Sequence, residues 1–419
     1  MTDKRTVFRC LTVALTLFVG GGLLEFTIRA RAPQFVFHDS PAFYQDDPEF
    51  GWTYRKSLHT SAYDPFLEKN VLVDINADGF RERSLSEFVD RPKPTVLFLG
   101  DSLTGALQVA ASERFSALAG AALGVQPVNM GVNGYSTDQI VLVLQKYGPR
   151  FKPRTIVYAL CFNDLMGNMQ RTVEVDDYLY GKPTFDENLV LQPRPFAKVL
   201  NHERQSVSAG GALIAPFKRY ARQHSALYNF VGGLNYRIHA RLKKEELAVG
   251  QVNISAFMDG PRQVAQFAQM EKLLARLQAE SARLGSQLVV IPEPHLVYLN
   301  PDIAAILERF YAQQGIAVDF ERPRRELRRI ASAQHVALID WAPARLRAVE
   351  RDTGPLQWIR GGVVFDQHLT PAGHQAFAAL IVQALTASSR STCAGLADDD
   401  QIGVVNAQPC NSLGDSGIQ

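Results

Sequence analysis

The first long apolar stretch of the chain runs from Val7 to Phe26, with Lys4, Arg5 and Arg9 near its start and Glu25, Arg29 and Arg31 near its end. This pattern predicts either a helix that crosses a bilayer with Arg9 snorkelling, or the apolar core of a secretion signal. Ala30-Arg31-Ala32 fits a small-x-small cleavage site, but Pro33 follows and two arginines flank it, which favours an uncleaved anchor over residues 1–32. The basic flank belongs on the cytoplasmic side, so the rest of the chain is expected outside the membrane.

Five short runs rich in β-branched and apolar residues follow: Thr95–Leu99, Gln126–Met130, Thr155–Leu160, Gln287–Ile291 and Val336–Asp340. The first four are apolar nearly throughout, as parallel strands covered on both faces are. Helical periods separate them at Phe115–Leu123, Thr137–Tyr147, Pro261–Leu284 and Ile303–Gln314, and a last one follows at Pro371–Thr386. The β-α alternation predicts a three-layer α/β/α fold over residues 91–386, a flavodoxin-like, doubly wound parallel sheet of about five strands. Residues 167–256 fit no β-α unit and read as a cap-like insertion with one amphipathic stretch near Tyr228–Leu247. Residues 33–90 form an aromatic lead-in containing Phe50-Gly51-Trp52 and Asn76-Ala77-Asp78-Gly79-Phe80-Arg81. Residues 387–419 carry no helical or strand period, and a disordered tail is expected there.

Composition narrows the classes. Lys and Arg total 44 against 42 Asp and Glu, so no strong field exists to hold nucleic acid. The basic run Arg322, Arg324, Arg325, Arg328 and Arg329 is expected to be a solvated helix face. Asp398-Asp399-Asp400 is expected to be a solubilising patch. Of the cysteines, Cys10, Cys161, Cys393 and Cys410, none forms a C-x-x-C pair; Cys393 and Cys410 could close a small loop in an oxidising compartment or stay unpaired. There is no H-E-x-x-H, Walker loop or G-x-G-x-x-G with an acidic partner, so no metal or cofactor is required.

Four blocks carry candidate chemistry. Gly100-Asp101-Ser102-Leu103 ends the first run, placing a serine just past the carboxyl end of a central strand, where open α/β sheets gather reactive groups. Taken alone, the serine reads rather as a helix N-cap, and Thr104 breaks the G-x-S-x-G elbow. Asn129-Met130-Gly131-Val132-Asn133-Gly134 follows the second run, and a glycine there lets its N–H approach a ligand; alone it is a turn. Asn163 follows the third run and offers a side-chain amide to the same edge. Asp366-Gln367-His368 precedes the last helix, supplying a base and an acid to orient it. His374, inside that helix, is expected to pack or cap. Gly414-Asp415-Ser416 repeats the serine tripeptide in the tail, without a strand before it.

Taken together, Gly-Asp-Ser-Leu, Gly134, Asn163 and the terminal Asp-x-His resemble the four blocks of the SGNH (GDSL) hydrolase superfamily. The Asn-x-x-Gly-Phe-Arg segment of the lead-in resembles that of membrane-anchored members. The resemblance covers roughly residues 95–385, interrupted by the insertion. It implies Ser102 as nucleophile, His368 as base and Asp366 as orienting acid, with an oxyanion hole made by the Ser102 N–H, the Gly134 N–H and the Asn163 amide. Gly131 competes with Gly134 for that role. The Asp-x-His spacing departs from the Asp-x-x-His of many members, which leaves the role of Asp366 more open than that of His368. The expected activity is cleavage of an acyl ester, with an O-acetylated glycan as the expected substrate, through an acyl-enzyme. Transfer to a sugar hydroxyl with a membrane-bound acyl-donor partner, or a silent glycan-binding subunit, are the alternatives.

Overall fold

The computed structural model describes residues 4–31, 43–64, 69–89, 93–175, 178–200, 252–360, 363–390 and 403–405, with residues 214, 216–218, 220, 221 and 224–242 of the insertion. Helix α1 (Lys4–Arg31) is one continuous helix, long and apolar enough to cross a membrane. The lead-in folds into two hairpins, β1 (Tyr44–Asp47) with β2 (Gly51–Tyr54) and β3 (His59–Asp64) with β4 (Lys69–Asp74).

All five expected strands form. They are β5 (Thr95–Gly100), β6 (Gln126–Asn129), β7 (Thr155–Leu160), and, beyond the insertion, β13 (Gln287–Pro292) and β14 (Ala337–Asp340). Each pairs in parallel with its neighbours, in the order β6-β5-β7-β13-β14. In chain order this is 2-1-3-4-5, the flavodoxin-like arrangement, whose direction of winding reverses between β5 and β7. Every residue of β5 and β7 is buried, which explains why their sequences do not alternate.

After β5 come the short α2 (Ser102–Gly105) and α3 (Phe115–Leu123); α4 (Thr137–Phe151) links β6 to β7, and α5 (Asn163–Gly167) follows β7. Helix α4 runs one turn past the expected end, through Gly148-Pro149. The insertion carries β8 (Thr172–Val175), β9 (Tyr178–Gly181), β10 (Thr184–Phe185), β11 (Leu191–Gln192), β12 (Val199–Leu200) and α6 (Ala226–Leu242). Then come α7 (Pro261–Arg283) before β13, and α8 (Leu296–Leu299), α9 (Pro301–Ala312) and α10 (Arg322–Ala333) before β14. The chain continues through α11 (Pro343–Thr353), an antiparallel ribbon of β15 (Gln357–Arg360) and β16 (Val363–Leu369), and α12 (Pro371–Arg390). Helices α3 and α12 pack together on one face of the sheet, while α4, α7 and α10 cover the other.

Two expectations are corrected. Gly403–Val405 (β17), within the stretch expected to be disordered, pairs antiparallel with β14. The exposed edge of β14 offers unpaired backbone groups to any short extended segment, and three residues are too few to show a period. Cys393, Cys410, Asp398–Asp400 and Gly414–Ser416 lie outside the described residues. The basic run forms α10, but it is not simply solvated. Arg322 pairs with Asp259 at 2.6 Å, Arg325 with Asp319 at 2.7 Å and Arg329 with Glu271 at 2.8 Å, while Arg324 and Arg328 share Asp340.

The lead-in is part of the core. Trp52 and Tyr54 are fully buried. Asn76 Oδ1 accepts from the N–H groups of Asp78 and Phe80, both at 3.0 Å, and so bends the chain. At Gly79 (φ +91°) a Cβ would stand 2.3 Å from Thr53 Oγ1, so only glycine fits. The turn delivers the buried Arg81 to the carbonyls of Leu72 (2.9 Å), Val109 (2.8 Å) and Ala106, the last being the residue that closes α2.

The insertion is pinned by an ion pair with no solvent exposure. Lys182 Nζ donates to Asp138 Oδ1 (2.9 Å), Ser136 Oγ (3.0 Å) and the Gly167 carbonyl (2.7 Å). Replacing Lys182 by Met strands the Asp138 carboxyl in the core and is expected to cost ~3–5 kcal/mol in urea unfolding. The double variant Lys182→Met/Asp138→Asn is expected to recover a substantial part of that loss.

Candidate active site

At the end of β5, a Cβ on Gly100 would lie 2.2 Å from Thr104 Oγ1 and 2.8 Å from the Ala159 carbonyl, so the strand can turn into α2 this tightly only with glycine. Asp101 caps α2: its Oδ1 accepts from Leu103 N at 2.9 Å. Ser102 is thus the first residue of the helix, half-buried, at the carboxyl end of the strand beside the switch point. The Ser102 Oγ–H donates to Asp101 Oδ2 at 3.3 Å, and Asn163 Nδ2, from the end of β7 across that switch point, donates to the same oxygen at 3.3 Å. The hydroxyl and the amide expected from the sequence therefore meet on one carboxylate oxygen.

The β6–α4 loop supplies the glycine. Gly134 has φ +77° and is exposed. The loop around it is held by lead-in aromatics: Trp52 Nε1 donates to the Asn133 carbonyl at 3.0 Å, Asn133 N donates to Tyr54 Oη at 3.0 Å, and Tyr135 Oη donates to the Trp52 carbonyl at 2.7 Å. The competing Gly131 is spent elsewhere. Its N–H donates to Asn129 Oδ1 at 3.1 Å, and a Cβ there would meet Gly105 N at 2.3 Å, so its role is to let the loop pack on α2. Among the described residues, neither the Ser102 nor the Gly134 N–H is used by a hydrogen bond.

His368 does not follow a strand of the central sheet; it lies on the ribbon strand β16, which packs against α2. Asp366 pairs with Trp358 and Leu369 with Gln357, so Gln367 and His368 are extra residues in a bulge. A bulge breaks the alternation that would otherwise put residues two apart on one face, and re-aims side chains. His368 is half-buried; the side chain of Asp366 lies outside the described residues. Immediately after, Thr370 Oγ1 accepts from Gly373 N at 3.0 Å and starts α12. His374 packs, as expected. Its ring stacks on Phe115 and its Nδ1 accepts from Phe115 N at 3.3 Å.

Beneath the serine lies a group that the sequence analysis missed. The Cys161 thiol donates to Asp101 Oδ1 at 3.0 Å, and burial next to carboxyl groups pushes its pKa well above the usual thiol range. Asp164 Oδ2 accepts from Tyr158 Oη at 2.6 Å and Cys161 N at 3.1 Å; burial, then the neighbouring Asp101, push this carboxyl well up. Glu293, which directly follows β13, accepts from Phe162 N at 2.8 Å, and burial raises its pKa to about 7. Its position after a strand of the parallel sheet was a usable signal. Cys161 and Asp164 flank Asn163 but carry no motif of their own. Among the described residues no cluster of three side chains suited to a metal ion occurs.

This arrangement can do one kind of chemistry well. Ser102 stands at a helix start with its N–H unspent, the Asn163 amide shares its Asp101 acceptor, Gly134 lies on the β6–α4 loop with its N–H also unspent, and His368 comes from β16, which packs against α2. A hydroxyl, a side-chain amide, backbone N–H groups and an imidazole are the group types that nucleophilic attack on a carbonyl uses.

No family model and no curated protein matches the chain. Among solved structures it is similar to an acetyl xylan esterase, AlAXEase (13% identity, covering 70% of this chain and 99% of that one, TM-score 0.34). It is also similar to Axe2, an acetylxylan esterase of Geobacillus stearothermophilus (16%, 71% and 96%, 0.33). A third similar structure, from Parabacteroides merdae, is described as a GDSL-like lipase (12%, 70% and 96%, 0.33).

The buried imidazoles make stability depend on pH. Burial, with the charges of Arg114 and Arg81, lowers the His374 pKa to about 3, and burial lowers that of His295 to about 4, against 6.5 when exposed. The unfolded chain therefore binds protons below about pH 6.5 that the folded chain refuses, and stability falls as pH drops through that window. In urea unfolding at successive pH values, His374→Gln is expected to flatten this slope by about 1.4 kcal/mol per pH unit, leaving the share due to His295.

Proposed function

We propose that the chain is an SGNH-type serine hydrolase acting on acyl esters, tethered by α1 with its α/β domain on the extracytoplasmic side of the membrane. The observation that carries this is the meeting of Ser102 Oγ and Asn163 Nδ2 on Asp101 Oδ2 at the switch point, with the unspent N–H groups of Ser102 and Gly134. For the tether, the support is the length and apolarity of α1 and the basic residues at its start.

In this mechanism Ser102 Oγ turns from Asp101 towards the ester and attacks its carbonyl carbon, while His368 takes the hydroxyl proton. Asp366, in the Asp-x-His block, orients the imidazole and stabilises the imidazolium. The carbonyl oxygen becomes an oxyanion held by the N–H groups of Ser102 and Gly134 and by the Asn163 amide. The tetrahedral species collapses, and the leaving alkoxide takes the proton from His368. Water, deprotonated by the same histidine, then attacks the acyl group, and Ser102 Oγ leaves with the proton that His368 returns. A sugar hydroxyl entering instead of water would complete an acyl transfer by the same route. O-acetyl groups on exported polysaccharide are the substrate class that suits the compartment and the family resemblance.

The test is fluorophosphonate labelling and p-nitrophenyl acetate hydrolysis by the full chain in detergent. Labelling and turnover are expected in the wild type and absent in Ser102→Ala and His368→Ala. Asn163→Ala is expected to lower kcat roughly 100- to 1,000-fold with the fold intact. A folded wild type that takes no label would point to a binding subunit instead.

A further inference from the structure

Glu293 has a place in the site that none of the four blocks describes. Its backbone N–H continues the pairing of β13 with β7, donating to the Leu160 carbonyl at 2.8 Å. Its side chain therefore leaves the sheet edge next to the β7–α5 turn, which carries Asn163. Helix α5 starts at Asn163 with Phe162 as its N-cap, and no side chain of that segment caps it. Glu293 Oε1 accepts the Phe162 N–H at 2.8 Å, so the start of the oxyanion helix is held from the neighbouring strand. The same carboxyl meets the Cys161 thiol and lies within electrostatic reach of Asp101 and His368.

We propose that Glu293 is a positioning residue of the hydrolytic site, a second acid that holds the Asn163 turn through one oxygen and stabilises the His368 imidazolium through its charge. The proposal rests on the assignment of Ser102 and His368 made above.

The groups facing Glu293 set when that charge is present. Asp101 comes from the β5–α2 turn, Cys161 and Asp164 from the β7–α5 turn, His368 from β16 and Tyr298 from α8. His295, two residues on, turns its ring towards the Asn253 carbonyl at 3.2 Å. Burial and Asp101 raise the Glu293 pKa, while the Phe162 N–H, the Cys161 thiol and His368 pull it down, with a balance at about 7. Below that pH Glu293 is neutral and gives the imidazolium no support. Above it the carboxylate favours the proton that His368 must accept from Ser102, so the rate climbs as Glu293 ionises.

The experiment compares wild type and Glu293→Gln as full chains in detergent, measuring kcat and KM for p-nitrophenyl acetate across about pH 5 to 9. Glutamine keeps an acceptor for Phe162 N, so the turn is retained. The wild-type acid limb is expected to be steeper than one ionisation allows. In the variant the limb should become that of a single ionisation, with its plateau about tenfold lower and KM unchanged. An unchanged profile, or a uniform loss without change of shape, would overturn the proposal. The His368 ring, followed by NMR in both proteins, gives a readout independent of turnover, with a lower imidazole pKa expected in Glu293→Gln. Equal values would overturn the role of Glu293 even in an inactive protein. Fluorophosphonate labelling of the wild type separates that failure from a failure of the hydrolase assignment.

Discussion

The site is organised around the buried carboxyl of Asp101, which gathers four donors at the end of β5. Its Oδ1 takes Leu103 N and the Cys161 thiol, and its Oδ2 takes the Ser102 hydroxyl and the Asn163 amide. A carboxyl removed from water this completely is tolerated only where its lone pairs are met. Meeting them joins two chain segments separated by the whole β6–α4 unit. Ser102 and Asn163 thus take their positions from one acceptor, and the cap that opens α2 is the same group. Asp101 sits one residue before the serine, where it reads from sequence as an ordinary capping residue; its reach to β7 depends on the pairing of Gly100 with Ala159.

Around this centre, elements outside the sheet act as clamps. Lead-in aromatics hold the Gly134 loop, and Arg81 holds the carbonyl end of α2. The insertion reaches the start of α4 through Lys182, which meets Ser136 and Asp138 just after the Gly134 turn. Each clamp is a buried polar group with its partners supplied by a distant segment, so each adds specificity of position more than net stability. Gly134 thereby sits on a short turn held by buried groups from outside the sheet.

Burial also sets the electrostatics. Burial pushes Asp164 and Cys161 towards their neutral forms, and the neighbouring Asp101 adds to both shifts. Burial raises the Glu293 pKa, and the Phe162 N–H, the Cys161 thiol and His368 hold it to about 7. Several acids can share so small a volume because most of them need not be charged at once.

Much of this was legible in the sequence. A parallel sheet covered on both faces demands strands apolar throughout, so β5, β7 and β13 announced themselves, and glycines at strand ends marked where the chain must turn tightly. The strand-to-helix junctions therefore located Ser102, Gly134 and Asn163, since open α/β sheets expose those edges. What sequence could not supply was contact between segments. That Gly131 is tied up by the Asn129 hydrogen bond and by packing on Gly105 is such a contact. The bulge that carries His368 arises from the pairing of β16 with β15, and β17 from the open edge of β14. Glu293 joins the site only because β13 lies beside β7. Periodicity and turn chemistry are local properties of the chain; the partners of a buried polar group are chosen only when distant strands come into register.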